Sequence, residues 1–221
     1  MADRLRIDLF DTAALSSDGS GFGLQPHDSR RRFLGRALAA GGTIVAGGVV
    51  VATLPRLAVS APSPAQDAEI LNFALLLEYI ESAFFTEASV KGNLDGELLE
   101  FADIVRGHER AHVAFLRGAL GSKARKRPKL EFGAATREPE AFTAAAVALQ
   151  DLAVAAYNGQ AANLTTGALE AAARIVSVEA RHAGWIRAIS GKNPAPKATE
   201  EPMTAKQAIA AVNRTNWVKS S

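Results

Sequence analysis

From Asp67 to Ala88 the apolar residues Ile70, Phe73, Ala74, Leu77, Phe84 and Phe85 recur at the three- and four-residue steps that line one face of a helix. Lys91-Gly92-Asn93 and Asp95-Gly96 interrupt the pattern. So short a break predicts that the next helix folds back antiparallel on the first. That second helix is expected from Glu97 to Leu120, with Gly121 as its stop. A third is predicted from Glu138 to Ala161, where Pro139 suits the first turn. Asn163 to Gly167 supplies another tight turn, and a fourth helix runs to about Ser190, ahead of Gly191 and Pro194. Met203 to Asn213 reads as a short fifth helix packed on the others.

One connection differs from the rest. Gly121 to Arg137 is long and basic, carrying Lys123, Arg125, Lys126, Arg127 and Lys129. A 24-residue helix is about 36 Å long, and a partly extended connection of this length can span it. The second and third helices can therefore run parallel, and the basic run is read as solvated surface. The expected fold class is all-α: an up-down four-helix bundle with one long crossover over residues 66–191, plus a short C-terminal helix within an extension over 192–221.

The first 65 residues read as targeting sequence. Ser29-Arg30-Arg31-Arg32-Phe33-Leu34 resembles the twin-arginine export motif, and the uncharged stretch Ala37 to Leu54 follows it. Small residues offer cleavage after Ala61 or Ala65, with Ala65 favoured because Pro62 follows the first point. Residues before Ser29 form a long n-region without periodicity. Retention of the stretch as a membrane anchor is the competing reading, weakened by its four glycines. The expected location is the periplasm or cell envelope, or the medium.

Charge changes the picture little. Residues 1–61 hold seven arginines and five acids, so the remainder carries 18 basic and 18 acidic residues. With no basic stripe and interleaved aromatics, nucleic acid is excluded as a partner. The absence of cysteine removes disulfides, thiolate metal sites and cysteine nucleophiles.

An internal repeat places the chemistry. Glu109-x-x-His112-x-x-Phe115-Leu116-Arg117 matches Glu179-x-x-His182-x-x-Trp185-Ile186-Arg187, and Gly121 and Gly191 each follow nine residues after the histidine. On the first helix of each half, Leu77-Glu78 and Phe85 correspond to Leu149-Gln150 and Tyr157. Glu78, Glu109, Gln150 and Glu179 all fall at mid-height of their hairpins, so they share one layer. Residues i and i+3 project from one helix face, so each Glu-x-x-His aims a carboxylate and an imidazole at one point. Such a set inside an apolar bundle is costly unless its charge is compensated, and divalent Fe, Mn or Zn suits oxygen and imidazole donors. His108 lacks a counterpart in the repeat and is expected outside the ligand set, exposed or behind it.

The stretches Leu71-Asn72-Phe73-Ala74-Leu75-Leu76-Leu77-Glu78-Tyr79-Ile80-Glu81, His108-Glu109-Arg110-Ala111-His112 and Val178-Glu179-Ala180-Arg181-His182 resemble a ferritin-like domain. The resemblance lies in the exported branch that includes plant desiccation-related proteins. It implies that Glu78, Glu109, His112, Glu179 and His182 occupy dimetal-ligand positions, with Glu109 and Glu179 bridging, and that the ions are Fe or Mn. Position 150 departs from the pattern, being Gln150 where the family has Glu. Three carboxylates would then face two divalent ions, so weaker, asymmetric or single-ion loading is expected. Asp151 points about 100° away around the helix. Glu81 is either an extra ligand, a hydrogen-bond acceptor or an ion-pair partner. Tyr157 is either a donor near the site or a tyrosine at the core edge.

Two functions follow from these expectations. The first is an exported metal-binding protein with redox chemistry at one or two Fe or Mn ions, such as oxidation of Fe(II) or disposal of peroxide. The second is a non-enzymatic stress- or desiccation-related envelope protein with a structural metal or none, favoured by Gln150 and Phe85. Storage in a hollow cage has no support in the sequence. Metal ions and the twin-arginine translocation machinery are the expected partners, with homo-oligomers, and the membrane if the leader is retained, as further ones.

Overall fold

The structure, a computed structural model, describes residues 62–219. The export motif, the uncharged stretch after it and the cleavage point at Ala61 lie outside the described residues. Helix α1 (Pro64–Lys91) packs along α2 (Gly96–Leu120), and α3 (Pro139–Gln160) packs along α4 (Thr166–Ile189). Contacts of α1 with α3 and of α2 with α4 join the two hairpins into a four-helix bundle. No helix among the described residues is long and apolar enough to cross a membrane.

Helix α1 begins earlier than its apolar pattern predicts. Pro64 occupies the first turn, and Ser63 Oγ caps the helix by accepting from the Gln66 N–H at 3.3 Å. Capping chemistry rather than periodicity sets this start. Ala65, the favoured cleavage point, therefore sits inside the first turn. The matched stops of α2 and α4 behave alike. Gly121 and Gly191 adopt φ of 56° and 69°, a left-handed conformation that glycine reaches without steric cost.

The crossover is pinned at both ends. Asn72, buried on α1, donates Nδ2 hydrogens to Ala68 O at 2.9 Å and Lys123 O at 3.0 Å, and accepts from Arg125 N at 2.8 Å. Further along, strand β1 (Lys129–Leu130) pairs antiparallel with β2 (Val218–Lys219) at the C-terminal end. Two residues are too few for a period-two pattern, so the sequence gives no sign of this pairing. The basic side chains Lys123, Arg125, Lys126, Arg127 and Lys129 are exposed, as expected of a solvated run.

Helix α5 (Ala205–Thr215) is the anticipated fifth helix. Thr204 and Gln207 form a reciprocal cap at its start, and Ala208 and Val212 face the core. The extension reaches it by crossing α3 closely, where the Met203 N–H donates to Ala155 O at 2.8 Å. Gly159 makes this approach feasible, since a Cβ there would lie inside van der Waals contact of the Met203 carbonyl.

Two apolar clusters divide the interior. One centres on Phe84, Phe85, Phe101 and Phe142, with Phe84 stacked on Phe142 at 5.4 Å and edge-on to Phe85 at 5.2 Å. The other contains Leu71, Leu75, Leu116, Leu120 and Ile175. Each fully buried large side chain contributes about 1.5–3 kcal/mol. Between the clusters, at mid-height of every helix, lies a layer of polar residues.

Candidate metal centre

Each helix of the bundle contributes to this layer. Glu78 and Glu81 come from α1, Glu109 and His112 from α2, Gln150 and Tyr157 from α3, and Glu179 and His182 from α4. None of the four carboxylates is more than 1 % exposed, and Gln150 is fully buried. The sequence-predicted residues are thus brought together. The i, i+3 spacing within α2 and α4 does this directly: His112 and His182 each stand one turn beyond their own glutamate, turned to the same interior.

The geometry has an internal symmetry. His112 Nδ1 lies 2.9 Å from Glu179 Oε1 and 3.3 Å from both Glu109 Oε2 and Glu78 Oε2. His182 Nδ1 lies 3.3 Å from Glu109 Oε1 and 3.5 Å from Glu179 Oε2. Glu109 and Glu179 therefore each turn one oxygen toward each histidine. The rings of His112 and His182 are 6.3 Å apart.

Several of these atoms are charged or polar, buried and unpaired. Glu78 Oε2, Glu109 Oε1, both oxygens of Glu179 and His182 Nδ1 have no well-directed hydrogen-bond partner, although some lie at ion-pair distance. Buried polar atoms are seldom left so. Donor atoms of Glu78, Glu109, His112 and Glu179 lie within 4.8 Å of one another, and His182 Nδ1 lies beside them at 3.3 Å from Glu109 Oε1. Carboxylate oxygens and imidazole nitrogens in this arrangement fit a divalent transition ion.

The buried carboxyls and imidazoles set one another's protonation. Burial disfavours the His112 cation, but its bonds to Glu109, Glu179 and Glu78 outweigh that and push it up to about 12. The same opposition raises His182 to about 9, through Glu109 and Glu179. Burial also acts against the Glu109 anion, yet His112, His182 and Glu78 hold it at about 2. Glu78 and Glu81 move the other way: burial first, then the charges of Glu109 and Glu179, raise both well above the ordinary carboxyl range.

A family model described as a ferritin-like domain matches residues 66–192. The chain belongs to this family. No curated protein matches the chain. The ferritin-like domain accounts for the all-α bundle, the long crossover and the position of the polar layer.

Some details of this ferritin-like layer decide between readings that the sequence left open. Gln150 is buried in it as expected, but its Nε2 donates to Glu81 Oε1 at 2.9 Å, and Glu81 is 1 % exposed. The layer holds four carboxylates, not the three counted from the sequence. Tyr157 is a donor to the site: its hydroxyl gives a hydrogen bond of 2.6 Å to Glu78 Oε1. Asp151 points away as predicted and pairs with Arg187 at 2.7 Å. His108 is exposed, yet its Nδ1 lies 2.8 Å from His182 Nε2, with the rings stacked 5.1 Å apart. His108 thus stands behind His182 and faces a cleft of about 360 Å³ between α2 and α4, lined also by His112, Arg181 and Trp185. The signal available for it was its position one turn before His112, on the same side of α2.

Proposed function

We propose that the chain is an exported metal-binding protein that holds a pair of Fe or Mn ions in its polar layer for redox chemistry, either oxidation of Fe(II) or disposal of peroxide. The observation that carries this reading is the placement of Glu109 and Glu179, each presenting one oxygen to the neighbourhood of each histidine. A pair of carboxylates so disposed would hold two cations. His112 with Glu78 would complete one position and His182 the other. When bound, such ions supply one-electron steps and open positions for oxygen or peroxide.

The chain's own residues do the rest. Phe84, Phe85 and Phe101 on one side and Leu75, Leu116 and Ile175 on the other keep bulk water from the layer. His182 Nε2 faces His108 Nδ1 at 2.8 Å, and a hydrogen donated from Nε2 there would leave His182 Nδ1 to face the carboxylates, as ligating histidines require. Tyr157 steadies Glu78 through its hydroxyl. The cleft between α2 and α4 offers small solutes an approach to the histidine side. Export through the twin-arginine route rests on Ser29 to Leu34; because such signals carry folded proteins, loading would precede export and follow metal availability in the cytoplasm.

A second reading is favoured by one observation. With His112 protonated, the layer already forms an ion-pair network joining three carboxylates to one cation. On that reading the protein is a metal-free or structurally metallated envelope protein. Metal content of the chain purified after native export separates the two. Two ions per chain with Fe(II) oxidation or peroxide turnover, lost in His112→Ala and His182→Ala, supports the redox reading. Negligible metal, unaltered by those substitutions, overturns it.

A further inference from the structure

The repeat relates the two halves by a fixed offset, so that Glu78 matches Gln150 and Phe85 matches Tyr157. At that offset Glu81 matches Ala153, a buried residue with no functional group. Glu81 is therefore the one carboxylate of the layer without a counterpart in the repeat, and it stands against the one position where a carboxylate is replaced by an amide. We infer that Glu81 supplies, from α1, the carboxylate that position 150 lacks, and is the ligand that completes the ion position on the His182 side.

This rests on the reading that the layer holds two ions. Glu78, Glu109, His112 and Glu179 form a compact donor set, and Tyr157 together with His112 ties Glu78 to that side. Glu109, Glu179 and His182 then lack a fourth donor. The Gln150 Nε2–H grips Glu81 Oε1 and leaves Oε2 buried and unpartnered. A purely structural partner for Gln150 needs one acceptor oxygen, whereas Glu81 brings a second that is buried without a partner. Charge completes the case. Four carboxylates neutralise two divalent ions, whereas three would leave a net positive charge in a dry interior.

The test uses the purified chain in equilibrium dialysis against Mn(II), with bound metal counted by atomic emission and the melting temperature read with Mn(II) and with chelator. The wild type is expected to take up two ions. Glu81→Gln should keep one and bind the second at least about 10–100-fold more weakly, while its melting temperature in chelator does not fall, because the amide has nearly the shape of the carboxyl and still offers an oxygen to Gln150 Nε2. Glu81→Gln combined with Gln150→Glu moves the carboxylate to the matched position and should restore two ions. Should Glu81→Gln fail to fold, the double variant carries the test alone. Two ions at unchanged affinity in Glu81→Gln, or only one in the double variant, would overturn the role of Glu81 while leaving the metal centre intact. Fewer than two ions in the wild type would overturn the two-ion reading and this inference together.

Discussion

Tyr157 on α3 donates its hydroxyl hydrogen to Glu78 Oε1 on α1 at 2.6 Å, and both side chains are buried. The bond joins the two hairpins at the level of the polar layer. In the other half the matched residues are Phe85 and Gln150, which can form no such bond. Tyr157→Phe keeps the ring and leaves a buried carboxylate oxygen without its donor, which costs about 1–3 kcal/mol. Urea denaturation in chelator should show that loss as a lower midpoint with an unchanged slope. Equal midpoints would mean that the phenol serves packing alone.

His112 is the cation around which Glu78, Glu109 and Glu179 gather, whereas His182 approaches only two carboxylates, Glu109 at 3.3 Å and Glu179 at 3.5 Å. His112→Ala strands three buried carboxylates, and breaking a buried ion pair from one side costs about 3–5 kcal/mol. His182→Ala should cost clearly less. Chemical denaturation of the two variants in chelator ranks them, and a reversed order would contradict the central place of His112 in the metal-free layer.

The contrast between these histidines and the rest of the layer shows what the sequence carries. Helix identity, the order of the bundle and the convergence of Glu78, Glu109, His112, Gln150, Glu179 and His182 were all legible, because they follow from helical period and an internal repeat. The partner of a buried side chain was not. Whether Glu81 meets Gln150 or an exposed cation depends on helix rotation by a fraction of a turn, and apolar period fixes rotation only coarsely. His108 was hidden for the same reason: being exposed and touching His182 are compatible at the edge of a cleft. The pairing of Lys129–Leu130 with Val218–Lys219 lies beyond any local pattern, since two residues carry no period and their partners are far apart in the chain.

Gly159 offers a test of the C-terminal extension. A Cβ at this position would collide with the backbone at Met203, and backbone cannot yield as a flexible side-chain tip can. Gly159→Ala should displace the segment around Met203 and weaken its bond to Ala155 O, at a cost of about 1–3 kcal/mol. Helix propensity works in the opposite direction, since alanine favours a helix over glycine by about 1 kcal/mol. A net loss of stability, with faster proteolysis between Pro196 and Thr204, is the expected result. A stabilised, protease-resistant variant would show that the extension does not cross α3 at Gly159.

The proton balance of the layer predicts opposite pH responses with and without metal. In the metal-free chain Glu78 and Glu81 are raised well above their ordinary value, His182 to about 9 and His112 to about 12. Each holds its proton in the folded state at pH values where the unfolded chain has released it. The folded state therefore binds more protons from about pH 5 upward, and stability falls as pH rises through that range. Glu109, held at about 2, acts in the other direction: its contribution is complete above the unfolded carboxyl range and is lost as pH falls toward 2. Stability in chelator should consequently peak in mildly acidic solution, near about pH 5, and decline on both sides. Metal must displace the protons on these same groups, so its affinity, and the rise in melting temperature it brings, should grow as pH increases from about 5 to 8. Calorimetric scans across that range, in chelator and in saturating Mn(II), read both trends at once. A melting temperature in chelator that rises steadily from pH 5 to 8 would mean that His112 and His182 are not the cations that balance the buried carboxylates.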